Sequence, residues 1–158
     1  MDIRSCLTAA QSADNELRSR AREALEALYV SNPGVYFGQL AEQLAAADAD
    51  DGIRQMAGLQ MKIALDLSVH DQVLMKKRQD IWVSIPAEIK TKIRELVTSA
   101  LICHSAIARH TCAQVIGKIG SIELPHQLWP ELLPGLYNTV TNDAVPTEFK
   151  VNALESLG

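Results

Sequence analysis

The sequence is poor in aromatic residues: two Trp, three Tyr and two Phe make up 4% of 158 positions. Strands draw on aromatic and β-branched side chains, so this scarcity argues against a sheet protein. Long apolar runs are missing too. No stretch approaches the roughly 18–20 residues of a bilayer-spanning helix, so no membrane span is expected. The first 15 residues mix acidic, polar and basic positions. They hold no apolar segment, so no secretory signal is expected. Cysteine is sparse and odd in number, and Cys6, Cys103 and Cys112 lie far apart. They read as reduced thiols of a cytosolic or nuclear protein. Positive charge is not in excess either: the net charge is −4, which disfavours broad nucleic-acid binding through phosphate neutralisation.

What is abundant points to helices. Hydrophobic residues reach 47%, enough for a core, and 20 Ala with 19 Leu supply a quarter of the chain. These residues favour close-packed helices. Asp2 to Ala10 reads as a short helix. Ser12 is placed to cap a second one from Ala13 to about Ser31, with Leu17, Ala21, Ala24, Leu25 and Leu28 as its apolar stripe. Asn32-Pro33 opens a third helix, to about Ala47, with Val35, Phe37, Leu40 and Leu44 inward. After the turn Asp48-Ala49-Asp50-Asp51-Gly52, a fourth runs from Ile53 to about Leu67 and buries Ile53, Met56, Ala57, Met61 and Ala64. Residues 69–85 are less regular and read as an insertion or linker holding the basic run Lys76-Lys77-Arg78. After Pro86, Ile89, Ile93, Leu96, Val97 and Leu101 recur at helical spacing. Another helix follows His104-Ser105, from Ala106 to about Ser121, with Ile107, Thr111, Val115, Ile119 and Ile122 inward. Gln127 to Asn142 is expected to be helical despite Pro130 and Pro134. A last helix, Thr147 to Leu157, carries Phe149, Ala153, Leu154 and Leu157 in apolar phase.

The helices pair, and the second member of each pair shows a basic residue followed three or four positions on by alanine. The instances are Arg20 and Ala24, Arg54 and Ala57, Arg109 and Ala113, Lys150 and Ala153. Roughly 40-residue helix pairs are the mark of HEAT-type solenoids, in which small residues let adjacent repeats approach closely. The expected fold is therefore an all-α solenoid of about three and a half HEAT repeats. The repeats cover residues 1–31, 32–68, 86–122 and 125–158, with the last one truncated. A four-helix bundle is the competing all-α reading.

No catalytic set stands out: GxxxxGK(S/T), GxSxG, HExxH and CxxC are all missing. Cys103, His104, His110 and Cys112 are zinc-ligand types. However, His110 and Cys112 are two apart on one helix, about 200° around it, so they do not face one ion. The carboxylates Glu23, Glu26, Asp48, Asp50 and Asp51 read as solvated surface and caps. No metal or cofactor is expected, and no enzymatic activity. Trp82 and Trp129 read as packing anchors between repeats. Lys76-Lys77-Arg78 reads as a solvated run, with docking of an acidic partner as its functional alternative.

Ala57-Gly58-Leu59-Gln60-Met61-Lys62, Trp82 and Leu128-Trp129-Pro130-Glu131-Leu132-Leu133-Pro134 together resemble the importin-β (karyopherin-β) family of nuclear transport receptors, at its amino-terminal end. The resemblance is collinear over the whole chain. It departs in a small insertion near Val69–Leu74 and at Ile63, where the family often has a polar residue. It implies a binding protein of cytoplasm, nucleus and nuclear envelope, whose partner is the small GTPase Ran in its GTP form. Adaptors of importin-α type, cargo and Phe-Gly nucleoporins are expected to bind mainly beyond this chain; nucleic acid and membrane are not expected partners. In a solenoid the second helix of each pair lines the concave side. The candidate GTPase-binding stripe is then Arg18 and Arg22, Gln55, Gly58 and Lys62, and His110, Gln114 and Lys118. Gly58 would permit close backbone approach by the partner, and Lys62 would meet an acidic side chain. Leu59 and Gln60 could equally be buried between repeats. A HEAT scaffold of another complex, or a small metal hydrolase, are the rival readings.

Overall fold

Polar side chains start most of the helices. In the computed structural model, which describes residues 1–157, Asp2 accepts from Ser5 N–H to open α1 (Ile3–Ala10). Asp14 accepts from Glu16 and Leu17 N–H to open α2 (Asn15–Ser31). Asn32 and Asp50 do the same for α3 (Pro33–Ala45) and α4 (Asp51–Leu65), through Val35 and Ile53 N–H. Asp71 opens α5 (Gln72–Ser84), and Ser105 opens α7 (Ala106–Glu123). Each such cap is worth about 1 kcal/mol. Prolines 86 and 146 precede α6 (Ala87–Ala100) and α9 (Thr147–Glu155), where a missing N–H costs nothing. No strand occurs among the described residues.

Three local expectations are corrected. Ser12 does not cap α2; its hydroxyl accepts from Asp14 N–H at 3.1 Å and so orients the aspartate that does. Residues 69–85 are no linker, because they contain the 13-residue α5. Its pattern is weak because it buries one side chain, Trp82. The helix expected from Gln127 begins only at Leu132, as α8 (Leu132–Thr141). Before it come a 3-10 turn, Leu124–His126, and Gln127 at φ 55°, a left-handed conformation that redirects the chain.

Successive pairs stack. Helix α3 packs on α6, α4 on α7 and α7 on α9, while the members of each pair, α3 with α4, α6 with α7 and α8 with α9, also touch. Helix α1 lies across the α3–α4 turn, tied by Arg4 to Gln43 and Asp48. One continuous apolar core threads the stack from Leu7 through Leu40, Met61, Ile93 and Ile119 to Ala153. Helix α7 sits in its middle and meets α3, α4, α6 and α9. The basic-then-alanine signature has a structural meaning in the central pairs. Arg54, almost fully buried, donates from Nε to the Leu44 carbonyl at the end of α3 (2.9 Å). Arg109 likewise reaches the carbonyls of Cys103 (2.8 Å) and His104 (3.1 Å) at the α6–α7 turn. Arg54 thus satisfies a carbonyl at the end of the preceding helix, Arg109 satisfies two in the turn that follows α6, and Ala57, Ala113 and Ala153 are buried between pairs.

Both tryptophans anchor the packing as expected. Trp82 lies edge-on to Phe37 with centroids 5.1 Å apart, and Trp129 lies beneath the Arg94 guanidinium. Some expected core positions are on the surface instead: Leu17, Val35, Ile107, Leu154 and Leu157 are exposed. Val35 and Ile107 belong to first turns.

Candidate functional site

Helices α4 and α7 run parallel in a constant register. Lys62 pairs with Gln114 and Asp66 with Lys118, each 52 positions apart. Small residues make the approach possible. Gly58 is buried, and a Cβ there would overlap Cγ2 of Thr111. This corrects the expectation for Gly58. It is consumed by helix–helix packing and presents no backbone to a partner.

The close approach brings Gln55 and Lys62 of α4 together with His110 and Gln114 of α7 around one depression of about 400 Å³. Gln11, Met56 and Leu59 also line it, with Gly52 and Thr111. Lys62 Nζ donates to Gln114 Oε1 at 2.5 Å. An ammonium only donates, so the Gln114 amide turns its NH₂ toward His110 Nε2, 3.1 Å away, which accepts. That assignment puts the imidazole proton on Nδ1, facing both Glu155 oxygens at 3.2 Å. Asn152 donates to Glu155 (2.8 Å) and accepts from Arg109 Nε (2.9 Å). A polar chain thus crosses from α4 over α7 to α9. One turn along, Lys118 Nζ lies 2.8 Å from Asp66 Oδ1. Together with the Ser68 hydroxyl and N–H, it holds the Asp66 carboxyl well below the usual carboxylate range.

The expected stripe therefore divides. Gln55, Lys62, His110 and Gln114 share the depression, and Lys118 continues the ridge. Arg18 is exposed at the start of α2, where it donates to the Ser12 carbonyl (2.6 Å) and to Asn15. Arg22 faces a different groove, between α2, α4 and α5. The periodicity of α2 shows which side is polar, but the direction of that side depends on the helix's tilt against its neighbours. Leu59, expected as a candidate for burial, is exposed in the depression, and Gln60 is half-buried with its carbonyl near the Tyr36 hydroxyl. Asp66 and Glu155 were not anticipated. The constant 52-residue offset, once known, pairs Asp66 with Lys118 directly; Glu155 has no such signal.

The set can recognise an acidic group. Lys62 is met by a neutral amide, and no carboxylate among the described residues is bonded to it. An acidic group arriving from outside would exchange one amide contact for a charge-assisted pair. Cys112 is fully buried against the Val97 carbonyl while His110 is at the surface, so the two share no ligand. Among the described residues no helix is long and apolar enough to cross a membrane.

No family model matches the chain. Importin subunit beta-1 of Arabidopsis thaliana is 32% identical over 159 aligned residues, spanning all of this chain and 18% of that protein. Importin subunit beta-1 of Schizosaccharomyces pombe is 29% identical over 93% of the chain and 17% of its own length. Among solved structures, yeast importin-β (Kap95p) superposes with a TM-score of 0.92 at 25% identity, over 99% of this chain and 18% of that one. Kap95p in the form whose binding induces the switch loops of RanGDP to adopt the GTP-bound conformation gives 0.91 at 25% identity, over 98% and 18%. The Kap95:Nup1 complex gives 0.90 at 25% identity, with the same coverage. The fold is thus that of an importin-β HEAT solenoid, and the chain spans less than a fifth of the length of these relatives.

Proposed function

Because the chain belongs to the importin-β family, in sequence and in fold along its length, we propose that it serves nuclear import by binding the GTP form of the small GTPase Ran through the α4–α7 ridge. The observation that carries this reading is the convergence of Gln55, Lys62, His110 and Gln114 on one depression, with Lys62 unmatched by any carboxylate among the described residues. A related Kap95p acts on the switch loops of Ran. Within this reading, Lys62 meets an acidic side chain near the GTPase switch, and Gln55, His110, Gln114 and Lys118 supply polar contacts around it. Arg18 and Arg22, set apart from the ridge, contribute at most long-range attraction. The repeats follow the helix pairs, with α5 inserted between the second and third.

Coupling to cargo release follows from the solenoid's construction. Each repeat touches only its neighbours, so a partner that prefers one curvature shifts the whole array toward it. Adaptor, cargo and Phe-Gly nucleoporins engage mainly parts of the receptor outside this stretch. The protein shuttles between cytoplasm and nucleus and carries no catalytic activity and no cofactor.

The test is a direct binding titration against Ran loaded with a non-hydrolysable GTP analogue and against Ran-GDP. Tighter binding of the GTP form, weakened by Lys62→Glu, is expected. Equal affinity for both forms, or indifference to Lys62→Glu, would overturn the assignment.

A further inference from the structure

A second groove opens away from the ridge, where the C-terminal half of α2 faces the end of α4 and the start of α5. Its floor is apolar: Tyr29, Ile63 and Leu74 line it, and Ile63 is 52% exposed. Its rim is cationic. Arg22 comes from α2, and Lys77 and Arg78 come from the basic run of α5. Glu26 is the one carboxylate among the lining residues described. Neither Arg22 nor Lys77 makes an ion pair among the described residues, and Arg78 spends one N–H on the neutral Asp66 carbonyl at 2.6 Å. Three cations against one acid on this rim stand out in a chain whose net charge is −4. The volume, about 240 Å³, is below the roughly 300–1,000 Å³ of small-molecule sites, so a cofactor is a poor fit. Side chains of a bound segment fit better, and the mix of exposed apolar floor and uncompensated positive rim defines the chemistry that they must carry.

We propose that this groove is a docking site for an acidic linear peptide, one bulky apolar residue seated over Tyr29 and Ile63 and flanking carboxylates on Arg22 and Lys77. The site is distinct from the α4–α7 ridge and does not depend on the GTPase assignment. It also explains α5 itself. That helix buries one side chain, Trp82, and two of its three basic residues, Lys77 and Arg78, line the groove, while Lys76 pairs with Asp80.

The probe is a fluorescein-labelled decapeptide with a central leucine pair flanked by glutamates, titrated against the purified chain by fluorescence anisotropy. Two companion peptides replace the glutamates with lysines or the leucines with glycines. The glutamate-leucine peptide is expected to bind at least ten-fold more tightly than either companion, and less tightly as salt rises. The double variant Arg22→Glu and Lys77→Glu, with both positions at the surface, should weaken binding ten-fold or more, and Ile63→Asp should do the same without added cations being lost. Lys62→Glu should leave peptide binding unchanged while impairing the GTPase, so the two sites fail independently. Equal binding of the three peptides, no saturable binding, or insensitivity to the double variant would overturn the proposal.

Discussion

The indole Nε1 of Trp82 donates to Glu123 Oε1 across 3.0 Å in the interior, joining residues 41 positions apart. The same carboxylate, fully buried, accepts from Arg94 Nε at 2.8 Å and Nη2 at 2.5 Å. Arg94 in turn lies over the Trp129 ring, 5.7 Å from its centre. One acid thereby fastens α5, α6, α7 and the turn before α8. A buried charge is tolerable only when so fully engaged.

Glu123→Ala should destabilise the chain by about 3–5 kcal/mol, since it strands a partly buried arginine and an indole N–H. Trp82→Phe, which removes the indole donor and leaves a smaller ring in a fully buried site, should cost about 2–4 kcal/mol, the lost hydrogen bond and the cavity together. Urea unfolding followed by circular dichroism measures both. Because the residues share a network, the double variant should cost less than the sum of the two. Additive effects would mean that the carboxylate and indole act separately.

Gly58→Ala should cost about 1–3 kcal/mol by forcing α4 and α7 apart. Thr111→Ser removes the methyl that the new Cβ would strike, so the pair Gly58→Ala with Thr111→Ser should recover part of the loss. No recovery would show that the strain lies elsewhere.

The Asp66 carboxyl is held low chiefly by Lys118, and next by Ser68. Its folded-state value lies below the unfolded one. The stability it contributes is therefore present above the usual carboxylate range, near pH 4, and is lost as pH falls through the lowered folded value. Carbon-detected NMR titration of Lys118→Met should move the Asp66 midpoint upward toward 3.8. An unmoved midpoint would assign the depression to Ser68 instead.

Cys112 is sealed in the core, and burial pushes its thiol far up; Cys6 is buried and raised as well. Cys103 is partly exposed at the α6–α7 turn. A disulfide reagent should label Cys103 first in the native state, with Cys6 and Cys112 reacting only on unfolding. Rapid labelling of Cys112 would indicate that α6 and α7 separate readily.

Much of this was legible in the residues. Apolar spacing marked α3, α4, α6 and α7, because each buries a full stripe, and the arginine-alanine signature marked how pairs stack. Helix α5 escaped because its attachment is one indole rather than a stripe. Gly58 was legible as a small residue on a face but not as the point where α7 crosses, which depends on Thr111, far away in sequence. The split between Lys62 and Arg22 escaped for a related reason: periodicity orders residues around one helix axis and is silent on the angle between two.

Helix α7 is flanked by α3, α4, α6 and α9 and buries residues around most of its circumference. A helix in that position cannot be trimmed from either end of the array without uncovering Met61 and Ala57 on one side or Val97 on another. Dissection therefore has a lower limit: shortened versions that stop before residue 106 should lose cooperative folding altogether, whereas losing α9 should fray only the last pair.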